Sequence, residues 1–349
     1  MNKEKKLNSS DIAKLAGVSR STVSRVVNGY PNVPEETRQK VMKVIEENAY
    51  YPLLSGQLLA GKKTGTIGFF WITTGDIAND FLTSSYFALV TEAAAKMGYL
   101  VLCCIIDDIN TAKNIDWVKS IFMQGRIDAG IFIGTNNVEP LIEELIGYGN
   151  IVGLFDHFRE NNIDRNRIAV NFENDTGEKA IDYAYSMGHR KIAIIDGNMK
   201  RYSSIQRHEG YIRGMLKHNI ELRNDWMYYG GIVAESGYKA MCKLLKNCGD
   251  DLPTIVCANN DSVAFGVMQA LEEHSLSVPQ DISIIGIDGH PRAAFSSPPL
   301  TTFAFDYADM FTSLVRRTIE TINQKENVPL SEDIPSILLE RGSCKVFPQ

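Results

Sequence analysis

Three short apolar triplets with one shared spacing mark the first fifty residues. They are Ile12/Leu15/Ala16, Val23/Val26/Val27 and Val41/Val44/Ile45, each at i, i+3, i+4. That spacing lays an apolar stripe along a short helix, and three stripes can close a miniature core. Gly17-Val18 separates the first two helices, and Ser19 stands where its hydroxyl can accept a free backbone N–H and cap the second. Gly29-Tyr30-Pro31-Asn32 breaks the chain before the third. The pattern predicts helix, tight turn, helix, and then a supporting helix.

From Thr66 the pattern alternates. β-rich apolar runs at 66–72, 99–106, 129–134, 151–155, 191–196, 254–258 and 282–287 are separated by helical stretches such as 87–97, 138–148 and 262–273. Continuous apolar strands alternating with helices predict parallel sheets covered on both faces. Some 280 residues of this pattern is more than one sheet conveniently holds. Two doubly wound α/β lobes are therefore expected, with a closed (β/α)₈ barrel as the alternative.

Composition changes this picture at two points. The chain of 349 residues carries a net charge of −6, which by itself argues against a nucleic-acid partner. The distribution points the other way: residues 1–64 hold eleven Lys/Arg and six Asp/Glu, net +5, and the remainder is net −11. A basic first fifth on an acidic body is the footprint of a small phosphate-binding unit. The six cysteines, at 103, 104, 242, 248, 257 and 344, form no C-x-x-C pair and read as buried reduced thiols. No membrane-length apolar run appears, and Met1-Asn2-Lys3-Glu4-Lys5-Lys6 leads into a polar helix with no signal-peptide core, so cytoplasm is the expected compartment.

A helix that enters the major groove needs one polar and one apolar face. Val23, Val26 and Val27 can face inward while Arg20, Ser21 and Arg25 project outward. Arginine forks onto the two acceptors of guanine, which makes Arg20 and Arg25 candidate base readers. The whole run from Asp11 to Gly29, with its Thr22-Val23-Ser24-Arg25-Val26 core and Asn28, resembles the LacI/GalR family of transcription regulators. The resemblance continues through the core and covers essentially the whole chain. It implies that Arg20, Ser21 and Arg25 read bases and that Thr22, Ser24, Asn28 and Asn32 hold phosphates, fixing register. Pro34 departs from the serine that usually caps the third helix in this family; proline suits a first helical turn, but a possible phosphate contact goes.

Residues 52–64 contain a decoy. Gly56-x-x-x-x-Gly61-Lys62 nearly spells a phosphate-binding P-loop, but Lys63 stands where Ser or Thr must hold Mg²⁺, and the segment precedes a strand instead of following one. Resemblance implies a hinge helix here, too short to be stable alone and folding only when paired on DNA. Leu59 matches the residue that wedges into the minor groove. Gly56 and Leu53 depart from the family's usual alanine and asparagine. A plain flexible linker is the competing reading.

In open α/β sheets, ligands bind at the carboxyl ends of the strands. Asp156 follows the run 151–155, Asn260-Asp261 follows 254–258, Asp288 follows 282–287, and Arg207 opens the helix containing Gly210-Tyr211. The core resembles the family's periplasmic-binding-protein-like fold, which implies Asp156, Arg207, Asn260 and Asp288 as effector contacts. Phe70, Trp71, Phe81 and Tyr202 are aromatic candidates for stacking on a sugar ring, with Trp71 and Tyr202 preferred. Each also has a structural reading: Asp261 can cap a helix, Asp288 a turn, and Trp71 can be core. Phe305 stands where a sugar-sensing family member has a polar ligand contact, which implies a different ligand or orientation here.

The expected architecture is an all-α helix-turn-helix headpiece (1–51), a hinge or linker (52–64), and a two-lobed effector-binding and dimerisation core (65–349). The expected function is a regulator, most naturally a repressor, acting as a homodimer on a near-palindromic operator and responding to a carbohydrate-like effector. Control by a phosphoprotein partner, and a sugar-binding protein without DNA, remain alternatives. No cofactor or metal is expected, since the six histidines show no ligand spacing. Catalysis is not expected either: no G-x-S-x-G or G-x-G-x-x-G occurs, and adjacent Asp107-Asp108 at a strand end diverge.

Overall fold

A computed structural model of the chain describes residues 7–52, 58, 61–73, 81–249 and 251–348. Its first helices are α1 (Ser9–Ala16), α2 (Arg20–Val27) and α3 (Glu35–Glu47). Their ends follow from local chemistry. Asn8 caps α1 by accepting from the Ser10 and Asp11 N–H groups, and Asp11 accepts from the Asn8 N–H in return. Gly17 leaves α1 at φ +61°, a left-handed turn that glycine adopts without a Cβ clash. The Ser19 hydroxyl accepts from the Thr22 N–H and starts α2. Pro34 sits at the N-cap of α3 and offers no side-chain acceptor.

Ile12, Ala16, Val23, Val26, Val33 and Val41 form the small core of this unit. Leu15, expected inside, is 56% exposed, and Ala13 is buried in its place. Position 15 lies roughly 100° of helix rotation from the centre of the 12/13/16 stripe, and small alanines let the other helices approach.

The remainder folds as two open six-stranded sheets, which removes the closed-barrel alternative. The first runs in the order β11 (Ser331–Ile334), β5 (Arg167–Phe172), β4 (Val152–Phe155), β3 (Ala129–Ile133), β1 (Thr66–Ile72), β2 (Leu100–Ile106). The second runs β12 (Ser336–Leu339), β10 (Thr301–Phe305), β9 (Ser283–Asp288), β8 (Ile255–Ala258), β6 (Ile192–Ile195), β7 (Met227–Tyr228). Every neighbouring pair is parallel except β10 with β12.

Side-chain alternation explains why both faces are covered. Along β1, Ile67, Phe69 and Trp71 join one core and Phe70 the other. Helices α4 (Phe81–Lys96) and α11 (Tyr307–Ile322) pack on the first face. Helices α5 (Ala112–Met123) and α6 (Pro140–Gly147) pack on the second, where Phe70 stacks on Phe132 at 4.6 Å. In the other lobe α7 (Thr176–Ser186) and α8 (Tyr202–Lys217) pair on one face, and α9 (Ala234–Cys248) and α10 (Asp261–Glu273) on the other.

The chain passes between the lobes three times: after β5, between β10 and α11, and between β11 and β12. Glu173 ties two of these passages together. Its N–H donates to the Ile334 carbonyl at 3.0 Å, and its carboxylate accepts from the Ser336 N–H at 2.8 Å and from the Ser336 hydroxyl. Lys179 neutralises it at 2.6 Å. The six cysteines are all free. No helix among the described residues is long and apolar enough to cross a membrane.

Helices α7 and α8 touch through glycine. A Cβ on Gly177 would stand 2.1 Å from the Arg207 carbonyl oxygen, and one on Gly210 would stand 2.8 Å from the Glu178 nitrogen. Since both obstacles are backbone, neither can rotate away. Gly177→Ala is therefore expected to destabilise the protein by about 1–3 kcal/mol, read as a lower urea midpoint. An unchanged midpoint would show that the two helices can separate freely.

Candidate functional sites: a polar helix face and an interlobe cleft

On α2 the buried positions are Val23 and Val26. Arg20, Ser21, Ser24 and Arg25 are exposed on the opposite side, with Thr22 and Asn28 partly buried at its margin. Some of these side chains are positioned by neighbours. Arg20 Nε donates to Ser9 Oγ at 3.0 Å, tying the start of α2 to the start of α1. The Ser19 hydroxyl lies 2.7 Å from Ser21 Oγ and 2.8 Å from Thr22 Oγ1. Asn28 ends α2 and its Nδ2 reaches Ser24 Oγ at 3.3 Å. The Arg25 side chain makes no hydrogen bond or ion pair among the described residues. Asn32 is exposed in the turn before α3. Arg20, Ser21, Ser24 and Arg25 therefore share one solvent-facing side of α2, with Thr22 and Asn28 at its edge. Leu59 lies outside the described residues.

The described end of the connector, from Lys62 to Thr64, is fastened to both the headpiece and the first lobe. Lys62 Nζ donates to the Val27 carbonyl at 2.8 Å, at the end of α2. Asp128 accepts from the Thr64 and Gly65 N–H groups at 2.7 and 2.8 Å, and Lys63 donates to Asn323 Oδ1 at 2.7 Å.

Between the lobes, a cavity of about 500 Å³ opens at the carboxyl ends of the strands. Trp71, Asp156, Arg207, Asn260 and Asp288 all line it. Asp156 ends β4 at φ +62° and reaches across to the other lobe, where its two oxygens accept from the Ser203 N–H at 2.8 Å and the Ser203 hydroxyl at 2.7 Å. Burial pushes its pKa up, against those two bonds. Arg207 lies in the second turn of α8 and does not open it as expected; the helix begins five residues earlier. It donates to the Asn259 carbonyl at 2.6 Å and to Asp288 Oδ1 at 3.1 Å, with its guanidinium 5.0 Å from the Phe172 ring centre. Asp288 is held at φ +118°, a strained backbone for any residue but glycine.

Several expectations change. Tyr202 does not line the cavity: its ring stacks on Phe158 at 5.1 Å and its hydroxyl donates to Asn174 at 3.0 Å, drawing it aside. Asn260 lines the cavity with its amide already engaged, since Oδ1 caps α10 at Val263 N–H and Nδ2 donates to the Ile232 carbonyl. Asp261 does not cap α10; it is buried, accepting from Thr302 Oγ1 and the His290 N–H, each at 2.6 Å. Phe70 faces the opposite core, and the side chain of Phe81 lies outside the described residues. Trp71 stacks on Tyr86 at 5.6 Å and forms part of the wall.

Sequence reading missed Arg201, Asn259, Phe265, Arg292 and Tyr307, which also line the cavity. Arg201 was findable, because it stands in the loop after β6 and the strand-end rule applies to it. Phe265 and Tyr307 lie on helices whose apolar patterns give no hint of a cavity.

Comparison with known proteins places these features. Residues 10–52 match the profile of bacterial regulatory proteins, lacI family, and residues 181–344 that of a periplasmic binding protein-like domain. The chain is 31% identical over 345 residues to the HTH-type transcriptional repressor PurR of Yersinia enterocolitica, covering 97% of each chain. It is 33% identical over 308 residues to the probable HTH-type transcriptional repressor ExuR of Bacillus subtilis, covering 84% of each. Among solved structures, the lac repressor dimer bound to operator and the anti-inducer ONPF superposes with a TM-score of 0.79 at 25% identity, over 98% of this chain and all of that one.

His157, next to Asp156, yields a pH prediction. Its ring is buried with neither nitrogen hydrogen-bonded among the described residues, and burial pulls its pKa down to about 4. A histidine whose folded pKa is depressed takes up a proton first in the unfolded chain, so stability falls as pH drops from about 6.5 toward 4. Between pH 7.5 and pH 5 this ring should remove about 2 kcal/mol of stability. His157→Leu should lose that part of the acid sensitivity in urea titrations at the two pH values. Equal slopes in both proteins would place the ring in contact with water.

Proposed function

Because the chain belongs to the lacI family of bacterial regulatory proteins, we propose that it is a repressor whose hold on an operator is set by a small molecule in the interlobe cleft. The observation that carries this reading is the presence in one chain of a solvent-facing polar side of α2 and a cavity walled by polar side chains from both lobes. Arg20, Ser21 and Arg25 are the base readers, and Thr22, Ser24, Asn28 and Asn32 hold phosphate. The basic charge of residues 1–64 draws the headpiece to DNA while the acidic core stays clear.

One headpiece reads too few base pairs to be selective, so two copies related by a twofold axis act on a near-palindromic site. The edge strand β2 exposes Leu100 and Ile105, apolar surface that a second copy can cover. Leu59 wedges into the minor groove at the centre of that site. The effector is a polyhydroxylated molecule: Arg207, Asp288 and Asn259 present donors and acceptors, and Trp71 a ring face.

Arg25→Ala should lose preference for the cognate operator over random DNA by about tenfold or more while keeping salt-sensitive weak binding. Leu59→Ala should straighten the bound DNA in a circular-permutation assay. Full selectivity in the first variant, or an unchanged bend in the second, removes the corresponding role.

Coupling between the two sites is reciprocal. Operator DNA must change effector affinity by the same factor by which effector changes operator affinity. Titration of effector into the wild type and Arg207→Ala, each with and without operator, should show that factor in the wild type. The variant should bind operator without responding to effector. If operator leaves the wild type's effector affinity unchanged, control through the cleft is wrong and a protein partner becomes the better source of the signal.

A further inference from the structure

The charges on the cleft wall do not balance. Among the described residues the lining carries three arginines, Arg201, Arg207 and Arg292, and two carboxylates, Asp156 and Asp288. Both carboxylates are already engaged inside the fold, Asp156 by Ser203 and Asp288 by Arg207. Of the cations only Arg207 is paired, with Asp288 and the Asn259 carbonyl. Arg207 keeps its Nε buried with no acceptor, and Arg292 rests over the Phe265 ring at 4.7 Å with no ion pair among the described residues.

Arg201 is the least satisfied. Its side chain is partly buried and makes no hydrogen bond or ion pair among the described residues. Burial pulls its pKa down from the ordinary value, with Asp156 acting the other way. A guanidinium drawn out of water without a hydrogen-bonded counter-charge is uphill, and an anion at this position offsets that cost. Arg201 and Arg207 both line this one cavity, so one small ligand can meet both. Arg201 also stands directly before the first turn of α8, a sixteen-residue helix whose amino end favours negative charge. Beside them Asn259 Oδ1 is buried without a donor, an acceptor suited to a ligand hydroxyl.

We propose that the cleft takes an anionic, hydroxylated small molecule, its carboxylate or phosphate held between Arg201 and Arg207 and a hydroxyl on Asn259. This rests on the cleft being the effector site. Uncharged sugars leave Arg201 unpaired and bind less well, because the charge-assisted fork is the stronger contact.

The test uses the full chain and matched probes: glucose against glucuronate, galactose against galacturonate, then glucose 6-phosphate and inorganic phosphate. Calorimetric titration should show at least one sugar anion binding the wild type about tenfold or more tighter than its neutral counterpart, with the advantage shrinking as KCl rises. Arg201→Gln should abolish that advantage and Arg201→Lys should keep part of it. Urea midpoints of both variants check that they fold. Uronates binding alone identifies a carboxylate ligand, and glucose 6-phosphate alone a phosphate ester. Neutral sugars binding as tightly as the acids, no binding by any sugar anion, or an advantage that survives Arg201→Gln overturns the proposal. A mobility shift on operator DNA with the same preparations separates the two readings. A neutral sugar that binds and alters operator affinity sinks only the anion, whereas absence of operator binding sinks the repressor itself.

Discussion

Three passages of one polypeptide between two sheets hold the molecule's working parts in relation. Because β5, β10 and β11 each hand the chain across, neither lobe can close its own ligand site, and the cavity exists only where both sets of strand ends face each other. Glu173 locks two of the passages by backbone and side-chain hydrogen bonds. Beside it Phe172 meets Phe305 edge-on at 4.7 Å, and the two rings support the Arg207 guanidinium. The apolar core therefore runs from one lobe into the other through the floor of the cleft.

The polar groups of the cleft are costly to keep there. Asp156 and Asp288 both sit on left-handed or otherwise strained backbone, and both are buried or nearly so. Such strain, of order 1–3 kcal/mol per residue, persists where surrounding structure over-determines it and gathers at functional sites. Here the Ser203 and Arg207 contacts supply that determination. Asp156 does so across the lobe boundary, which makes it a latch as well as part of the wall.

Between the cleft and α2, residues 62–65 are held on both sides. Asp128 holds Thr64 and Gly65 at the start of β1, the strand that carries Trp71 into the cavity wall. Lys62 closes the last turn of α2. A movement of the first lobe thus reaches the headpiece through few residues.

The sequence alone determined most of the elements and their order. Period-four triplets and Ser19 define α2, and buried parallel strands announce themselves as unbroken apolar runs, because both faces of such a strand meet helices. Strand ends follow from strand positions, and so did the placing of Asp156 and Asp288 beside the cleft, whereas Arg207 came only through the family resemblance. What the sequence missed were β7, only two residues long, and β5, β10, β11 and β12, whose runs carry Asn171, Thr301, Glu332 and Ser336 among the apolar residues. Those polar side chains serve the hinge and the neighbouring strands, and no local periodicity encodes such a partner. Which way a side chain turns was likewise beyond local reading. Tyr202 leaves the cavity because Phe158, distant in the chain, offers its ring a face. Arg201 stays because nothing in the described fold pairs with it. Propensity and pattern act over a few residues, whereas these outcomes depend on which distant groups the fold brings together, and only the tertiary structure decides that.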